Sequence, residues 1–238
     1  MVFPNESFTA HGGCQCKAVR YRVSVPAFQE RASAPGLLPG MKSAEDVRLP
    51  MSTVCHCNSC RGATGQLAAF GIAFEKAHVE LSIVTRAEAE SGLPQDGDRH
   101  WASAVALLDD QEQLEKLSVS LYDSSSRRRK IFCPRCGVSI GHTTDTRSIP
   151  PEWGWPDAMA IMTPTIDREF LSKDWWKPER ATWTACGIPW VRDLARGGLS
   201  GLIEHPLAFR DKFIGDDIGA ELELFKTLGE SVDITISQ

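Results

Sequence analysis

The chain has 238 residues, and 42% of them are hydrophobic, so it can bury a substantial core and is not expected to be disordered. Lys and Arg total 26 against 31 Asp and Glu, and the net charge of -5 excludes a strongly basic protein that would attract nucleic acid or an anionic membrane. The first residues lack the pattern of a signal peptide, and no run of about 18 apolar residues occurs. We therefore expect a cytoplasmic protein without a membrane anchor.

The first half of the chain contains three predicted strands. Residues 17–25, KAVRYRVSV, alternate apolar and polar side chains, which is typical of a strand. Residues 66–83 predict two further strands, with Gly71 at a bend or bulge. Residues 27–50, which contain APGLLPG and a charged stretch, predict an inserted surface loop with a helical turn. These patterns favour a mainly β domain.

The second half continues the β pattern after a region without alternation. Residues 84–115 are rich in Ala, Glu, Asp and Gln and predict loop with some helix. Residues 117–123, LSVSLYD, predict a strand, and residues 124–130, SSSRRRK, predict a polar turn with a basic run. Residues 137–144, GVSIGHTT, predict a short strand, and residues 158–167, AMAIMTPTID, predict the last strand of the same sheet.

The composition changes after residue 167. Residues 168–238 are rich in tryptophan at first, contain a Gly-rich break at 197–201, and predict a helix around 217–229. We interpret residues 1–167 as the principal domain and 168–238 as a mixed C-terminal extension that packs on it or covers a site.

Seven of the eight cysteines lie in three short clusters. Because the chain is large and carries no export signal, close cysteine pairs indicate a metal site rather than a disulfide framework. The clusters are Cys14 and Cys16; Cys55, Cys57 and Cys60; and Cys133 and Cys136, with Cys186 alone.

Closely spaced thiolates on a tight turn can bind one zinc ion at about 2.3 Å. A structural zinc takes four protein ligands, whereas a catalytic zinc takes three and keeps one position open. Seven cysteines therefore divide as four plus three. The spacing alone does not decide which cysteines share an ion, because Cys57 and Cys60 with Cys133 and Cys136 would also form a zinc ribbon.

Three motifs occur in order: GGCQCKAVRYRV at 12–23, CHCNSCRGATG at 55–65 and FCPRCG at 132–137. Together they resemble the glutathione-dependent formaldehyde-activating enzyme family, also called the GFA or CENP-V domain family. The resemblance covers residues 8–167, with insertions at 27–50 and 84–115. It implies a mainly β, Mss4-like fold with two zinc ions per chain. The closed site would use Cys14, Cys16, Cys133 and Cys136, and the open, catalytic site would use Cys55, Cys57 and Cys60.

The activity implied by this resemblance is that of a zinc-dependent carbon-sulfur lyase. Its substrate would be a small-molecule thiol adduct, with glutathione as co-substrate. Residues 167–183 lack the histidine that the family often carries near its C-terminus, which favours a different, bulkier substrate. Two alternatives stay open: a zinc-assisted dehydratase, hydratase or isomerase, and a non-catalytic interaction module stabilised by zinc.

Residues near the middle cluster have two interpretations each. Arg61 would bind a substrate carboxylate or a backbone carbonyl of the turn. Thr64 would hydrogen-bond a ligand sulfur or cap the turn, and Gly65 would serve the turn itself. We expect His56, between two ligands, to point away from the metal and to have a supporting or surface role.

Three further features lie outside the motifs. His142 is a candidate acid or base. The basic run at 127–130 would attract an anionic tripeptide or form a solvated turn. Cys186 is expected to be an ordinary buried or partly buried thiol.

Overall fold

The computed structural model describes residues 3–34, 47–125, 128–144 and 156–197. The helix expected around 217–229 and most of the Gly-rich break lie outside the described residues, as do residues 35–46 of the expected insertion. The chain forms two compact units, Met1–Val191 and Arg192–Gln238.

The fold is mainly β. The strands are β1 (Phe8–Gly13), β2 (Val19–Val25), β3 (Met51–Cys55), β4 (Ala69–Glu75), β5 (Val79–Ile83), β6 (Ala102–Ser103), β7 (Ser120–Ser125), β8 (Arg128–Phe132), β9 (Ser139–Thr144), β10 (Ala158–Met162) and β11 (Arg180–Thr182). The helices are α1 (Asn58–Thr64), α2 (Arg86–Ser91), α3 (Ala104–Asp109), α4 (Gln111–Lys116), α5 (Arg168–Leu171) and α6 (Pro189–Gly197). None of the helices in the described ranges combines the length and apolar character needed to cross a bilayer.

The strands form two sheets. The smaller sheet has the order β1-β2-β5-β6, and the larger has the order β11-β3-β4-β10-β9-β8-β7. All neighbouring strands are antiparallel except β11, which runs parallel to β3 at the edge of the larger sheet.

A single main core receives buried side chains from both sheets. In β2 the alternation of the sequence matches the burial, since Tyr21 and Val23 are buried while Ser24 is exposed. From the larger sheet, Ile72, Phe74 and Ile161 enter the same core. Successive side chains of a strand point to opposite faces of the sheet. One face of the larger sheet therefore packs on this core, and the opposite face is available for other contacts.

Most of the strand predictions in the first half are confirmed. Residues 17–25 form β2, and residues 66–83 form β4 and β5 with one 3₁₀ turn between them. The prediction of a bend or bulge at Gly71 is wrong, because this residue pairs with Thr53 and Met162 without a register shift. A Cβ atom at Gly71 would make only ordinary contacts, the nearest at 3.4 Å, so this position does not require a glycine on steric grounds.

In the second half, the loop with some helix expected at 84–115 contains α2, α3 and α4. The basic run is not confined to a turn, because residues 128–130 already belong to β8 and pair with β9. The strand predicted at 158–167 ends at Met162 and is followed by a 3₁₀ turn, Thr163–Thr165.

Candidate metal centres

Four cysteines from two hairpin turns form the first cluster, called here the quartet: Cys14, Cys16, Cys133 and Cys136. Their Sγ atoms all lie within 4.8 Å of one another. The Sγ of Cys16 lies 3.5 Å from that of Cys14 and 3.6 Å from that of Cys133. Four sulfurs around one ion at about 2.3 Å would be about 3.8 Å apart, so the quartet fits a tetrahedral ion.

The two turns bring the sulfurs inward by similar hydrogen bonds. The Cys14 N–H donates to the Val19 carbonyl, and the Val19 N–H donates to Cys14 Sγ at 3.2 Å. In the second turn, the Cys133 N–H donates to the Val138 carbonyl and the Gly137 N–H to the Cys133 carbonyl. Gly137 has a φ of 73°, a left-handed conformation that favours glycine.

The second cluster, called here the trio, consists of Cys55, Cys57 and Cys60 at the junction of β3 and α1. Cys55 ends β3, and Cys57 caps α1 by accepting a hydrogen bond from the Cys60 N–H at 3.3 Å. Their Sγ atoms also lie within 4.8 Å of one another. Within the ranges that the structure describes, no fourth Cys, His, Asp or Glu joins them.

The two clusters differ in burial. Cys14 and Cys133 of the quartet are buried, whereas all three cysteines of the trio are half-buried. The quartet therefore contains two fully buried cysteines, whereas the trio contains none.

The thiols in each cluster perturb one another. Burial raises the pKa of Cys14, whereas desolvation of Cys16 is outweighed by hydrogen bonds from the Ala18 backbone and the neighbouring thiols, so its pKa falls to about 7. In the trio, a hydrogen bond from Cys60 lowers the pKa of Cys55 to about 5, and the same contact raises the pKa of Cys60. Without a cation, several adjacent thiolates would repel one another. A divalent ion removes that repulsion, and all-sulfur donor sets are compatible with zinc.

Basic side chains lie beside the trio. Lys130, in β8, donates from Nζ to Cys60 Sγ at 3.5 Å, although its side chain is almost fully buried. Arg128, two residues earlier, interacts electrostatically with all three cysteines of the trio and hydrogen-bonds Thr144. The contact between Lys130 and Cys60 was not predicted from the sequence, because 70 residues separate the two positions. Residues 128–130 are three consecutive basic side chains without alternation, so the sequence carried no periodic signal for a strand here.

The two histidines considered from the sequence are not in either cluster. His56 is buried and its backbone N–H donates to the Thr182 carbonyl, so the expectation of a surface role is wrong. His142 lies opposite Lys130 in the β8–β9 register. Burial, together with the charges of Lys130 and Arg128, lowers the pKa of His142 to about 3. The imidazole is therefore neutral at pH 7 and is a weak base there.

The remaining candidates near the trio lie on α1. Arg61 is exposed, and its side chain makes no hydrogen bond or ion pair with any other described residue. The Thr64 hydroxyl donates to the Cys60 carbonyl at 2.8 Å, so it caps the turn rather than bonding a sulfur. Gly65 ends α1 with a φ of 67°, as expected for a turn glycine.

Cys186 is exposed in a short 3₁₀ turn, Thr184–Cys186, so the expectation of a buried or partly buried thiol is wrong. It belongs to neither cysteine cluster.

Comparisons with known proteins give no family. No protein-family model matches the chain, and no curated protein matches it. A solved structure of a Rhodobacter sphaeroides protein, a structural genomics target, aligns with 72% of this chain and 99% of its own, at 13% identity and a TM-score of 0.33.

Proposed function

We propose that the protein is a zinc-dependent enzyme of the carbon-sulfur lyase type. The quartet would hold a structural zinc, and the trio would hold the catalytic zinc. The observation that carries the proposal is the difference between the clusters: four sulfurs complete a tetrahedron, whereas the trio offers three and no fourth side chain among the described residues. The three sulfurs would therefore leave one coordination position of an ion free for a substrate atom.

The positions of the clusters in the fold support this division. The quartet joins the β1–β2 turn of the smaller sheet to the β8–β9 turn of the larger one. The trio lies at one strand–helix junction and links no second sheet. A stabilising role is therefore the natural one for the quartet, and a chemical role for the trio.

A zinc ion in the trio would supply mild Lewis acidity toward a substrate sulfur or carbonyl oxygen. Cys55, Cys57 and Cys60 would hold it, and the exposed Arg61 would bind a carboxylate of a glutathione-like substrate. Cleavage of an S-hydroxymethyl adduct is redox-neutral: the C–S bond breaks, the hydroxyl oxygen becomes the aldehyde oxygen, and the hydroxyl proton goes to the sulfur. Thr64 would fix the turn that carries Cys60.

The proposal includes membership of the GFA or CENP-V domain family and an Mss4-like fold. Its support is the set of three cysteine motifs, whose sulfurs lie in the grouping that the resemblance implies. Free thiols that bind zinc require a reducing compartment, so the cytoplasm is the proposed location.

Metal analysis tests the proposal directly. We expect two zinc ions per chain, and mild chelation should remove one while circular dichroism shows that the fold is retained. Turnover of S-hydroxymethylglutathione should stop with that loss and return when zinc is added. Joint loss of both ions with unfolding would instead indicate a non-catalytic module stabilised by zinc. Zinc-dependent turnover of another metabolite, without any action on thiol adducts, would favour the dehydratase or isomerase alternative.

A further inference from the structure

Lys130 is a buried cation without a carboxylate partner among the described residues. Its side chain is on β8, its residue is only 6% exposed, and its ammonium donates to Cys60 Sγ. Its neighbours in the sheet register are Tyr122 and His142, and neither side chain is a carboxylate. A buried ammonium is costly unless an anion compensates it, so the thiolates of the trio are its natural partners.

Cys60 differs from the other cysteines in the source of its hydrogen bonds. Cys55 accepts from the backbone of Cys57, and Cys57 accepts from the N–H of Cys60. Cys60 Sγ accepts a hydrogen bond from the ammonium of Lys130, and Arg128 adds a second positive charge near it. Lys130 therefore donates to the sulfur of Cys60, whereas backbone N–H groups donate to the sulfurs of Cys55 and Cys57.

This contact changes the charge of a loaded trio. Three thiolates and a divalent ion carry a charge of about -1, and the cations of Lys130 and Arg128 bring the sum to about +1. A thiolate that adds as fourth ligand then produces a charge of about zero. Without Lys130 it would produce about -1 in a half-buried site, which is less favourable.

We propose that Lys130 is a positioning residue that directs the trio to an anionic sulfur as its fourth ligand. This inference rests on the proposed open site and specifies its ligand: a small thiol that binds as thiolate and releases its proton to solvent. Neutral nitrogen or oxygen ligands gain less from the ammonium, because they add no charge for it to offset.

The test uses the full chain loaded with Co²⁺, whose visible spectrum changes when a fourth ligand binds. A four-thiolate site is closed, so the spectral change reports the trio. The probes are 2-mercaptoethanol, with affinities expressed per thiolate, and imidazole as a neutral ligand. In Lys130→Met we expect thiolate affinity to fall about 10- to 100-fold, while imidazole affinity changes less than about threefold.

Two further variants make the outcome specific. Lys130→Arg should recover most of the thiolate affinity, because it keeps the charge, and Lys116→Met, which removes an exposed lysine paired with Glu112, should have no effect. Equal losses of thiolate and imidazole affinity in Lys130→Met would overturn the role in ligand choice. Loss of the trio metal from both Lys130→Met and Lys130→Gln would overturn it as well.

Failure of the open site itself gives a different result. If the wild-type protein binds Co²⁺ at both clusters but responds to neither probe, the trio is closed, and both this inference and the proposed function fail. If the wild-type protein binds both probes and Lys130→Met binds them with unchanged affinity, only the role of Lys130 fails.

Discussion

His142, which lies opposite Lys130, is kept neutral mainly by its burial. The pKa of His142 is lowered to about 3 by burial and by two nearby cations, whereas an unfolded histidine titrates near 6.5. Between these values the unfolded chain binds a proton that the folded chain does not. The free energy of unfolding therefore falls as the pH drops from about 6.5 toward 3, by at most about 1.4 kcal/mol per pH unit.

Comparison with His142→Gln isolates this contribution. We expect the difference in unfolding free energy, wild type minus variant, to decrease by about 2 kcal/mol between pH 7 and pH 5, as measured by urea unfolding. Metal loss at low pH affects both proteins and cancels in the difference. Parallel curves for the two proteins, or an NMR titration of His142 near pH 6.5, would contradict the low pKa.

For individual residues, the sequence predicted those parts of the site that are formed by residues close together in the chain. The three cysteine motifs and the turn at Gly65 are local, and the structure brings the motif sulfurs into two clusters. The contact of Lys130 with Cys60 depends on how β8 lies relative to α1, which spacing along the chain does not encode. His56 likewise became buried through β11, whose carbonyl at Thr182 accepts its backbone N–H.

Among the elements, the hairpin turns carry the quartet and a strand–helix junction carries the trio. Because the quartet joins turns from both sheets, its ion would cross-link segments about 120 residues apart in the chain. The trio spans only the end of β3 and the first turn of α1. The same substitution, Cys to Ser, should therefore have unequal effects in the two clusters.

We expect Cys133→Ser to lower the free energy of unfolding by at least about 3 kcal/mol, because it removes a buried ligand of the ion that joins the sheets. Cys57→Ser should lower the free energy of unfolding by about 1 kcal/mol or less, yet abolish turnover. This variant should also lack the labile zinc, so that mild chelation releases no further metal. Urea unfolding and metal content, measured on both variants, check the two expectations. Equal destabilisation by the two variants would contradict separate roles for the clusters.

Periodicity predicted the elements that have one buried and one exposed face. The alternation in 17–25 identified β2 because its apolar residues all enter one core. Periodicity failed for β8, because Arg128 and Lys130 lie on a face of the strand that is directed toward the trio and not toward solvent. A strand with polar side chains buried beside a charged site has a composition typical of a turn. The sequence of β8 therefore predicted a turn where the structure has a strand.

For the molecule as a whole, the described part of the C-terminal extension contributes to the core. Trp176 is buried and lies edge-on to Phe3, with ring centroids 5.5 Å apart. Its carbonyl accepts a hydrogen bond from Ser52 of β3. The first residues of the chain, the larger sheet and the extension therefore meet at one aromatic cluster, a contact that composition alone did not predict.

Trp176→Ala should lower the free energy of unfolding by about 3 to 5 kcal/mol, since it removes a buried indole that packs on Phe3 and Phe8. Trp190→Ala, at a site where the side chain is 48% exposed, is the matched control and should cost less than about 1 kcal/mol. Urea unfolding with intact metal content measures both. Both zinc ions should remain bound in folded Trp176→Ala, because neither cysteine cluster includes this residue. An equal cost for the two substitutions would mean that the extension does not contribute to the core in solution.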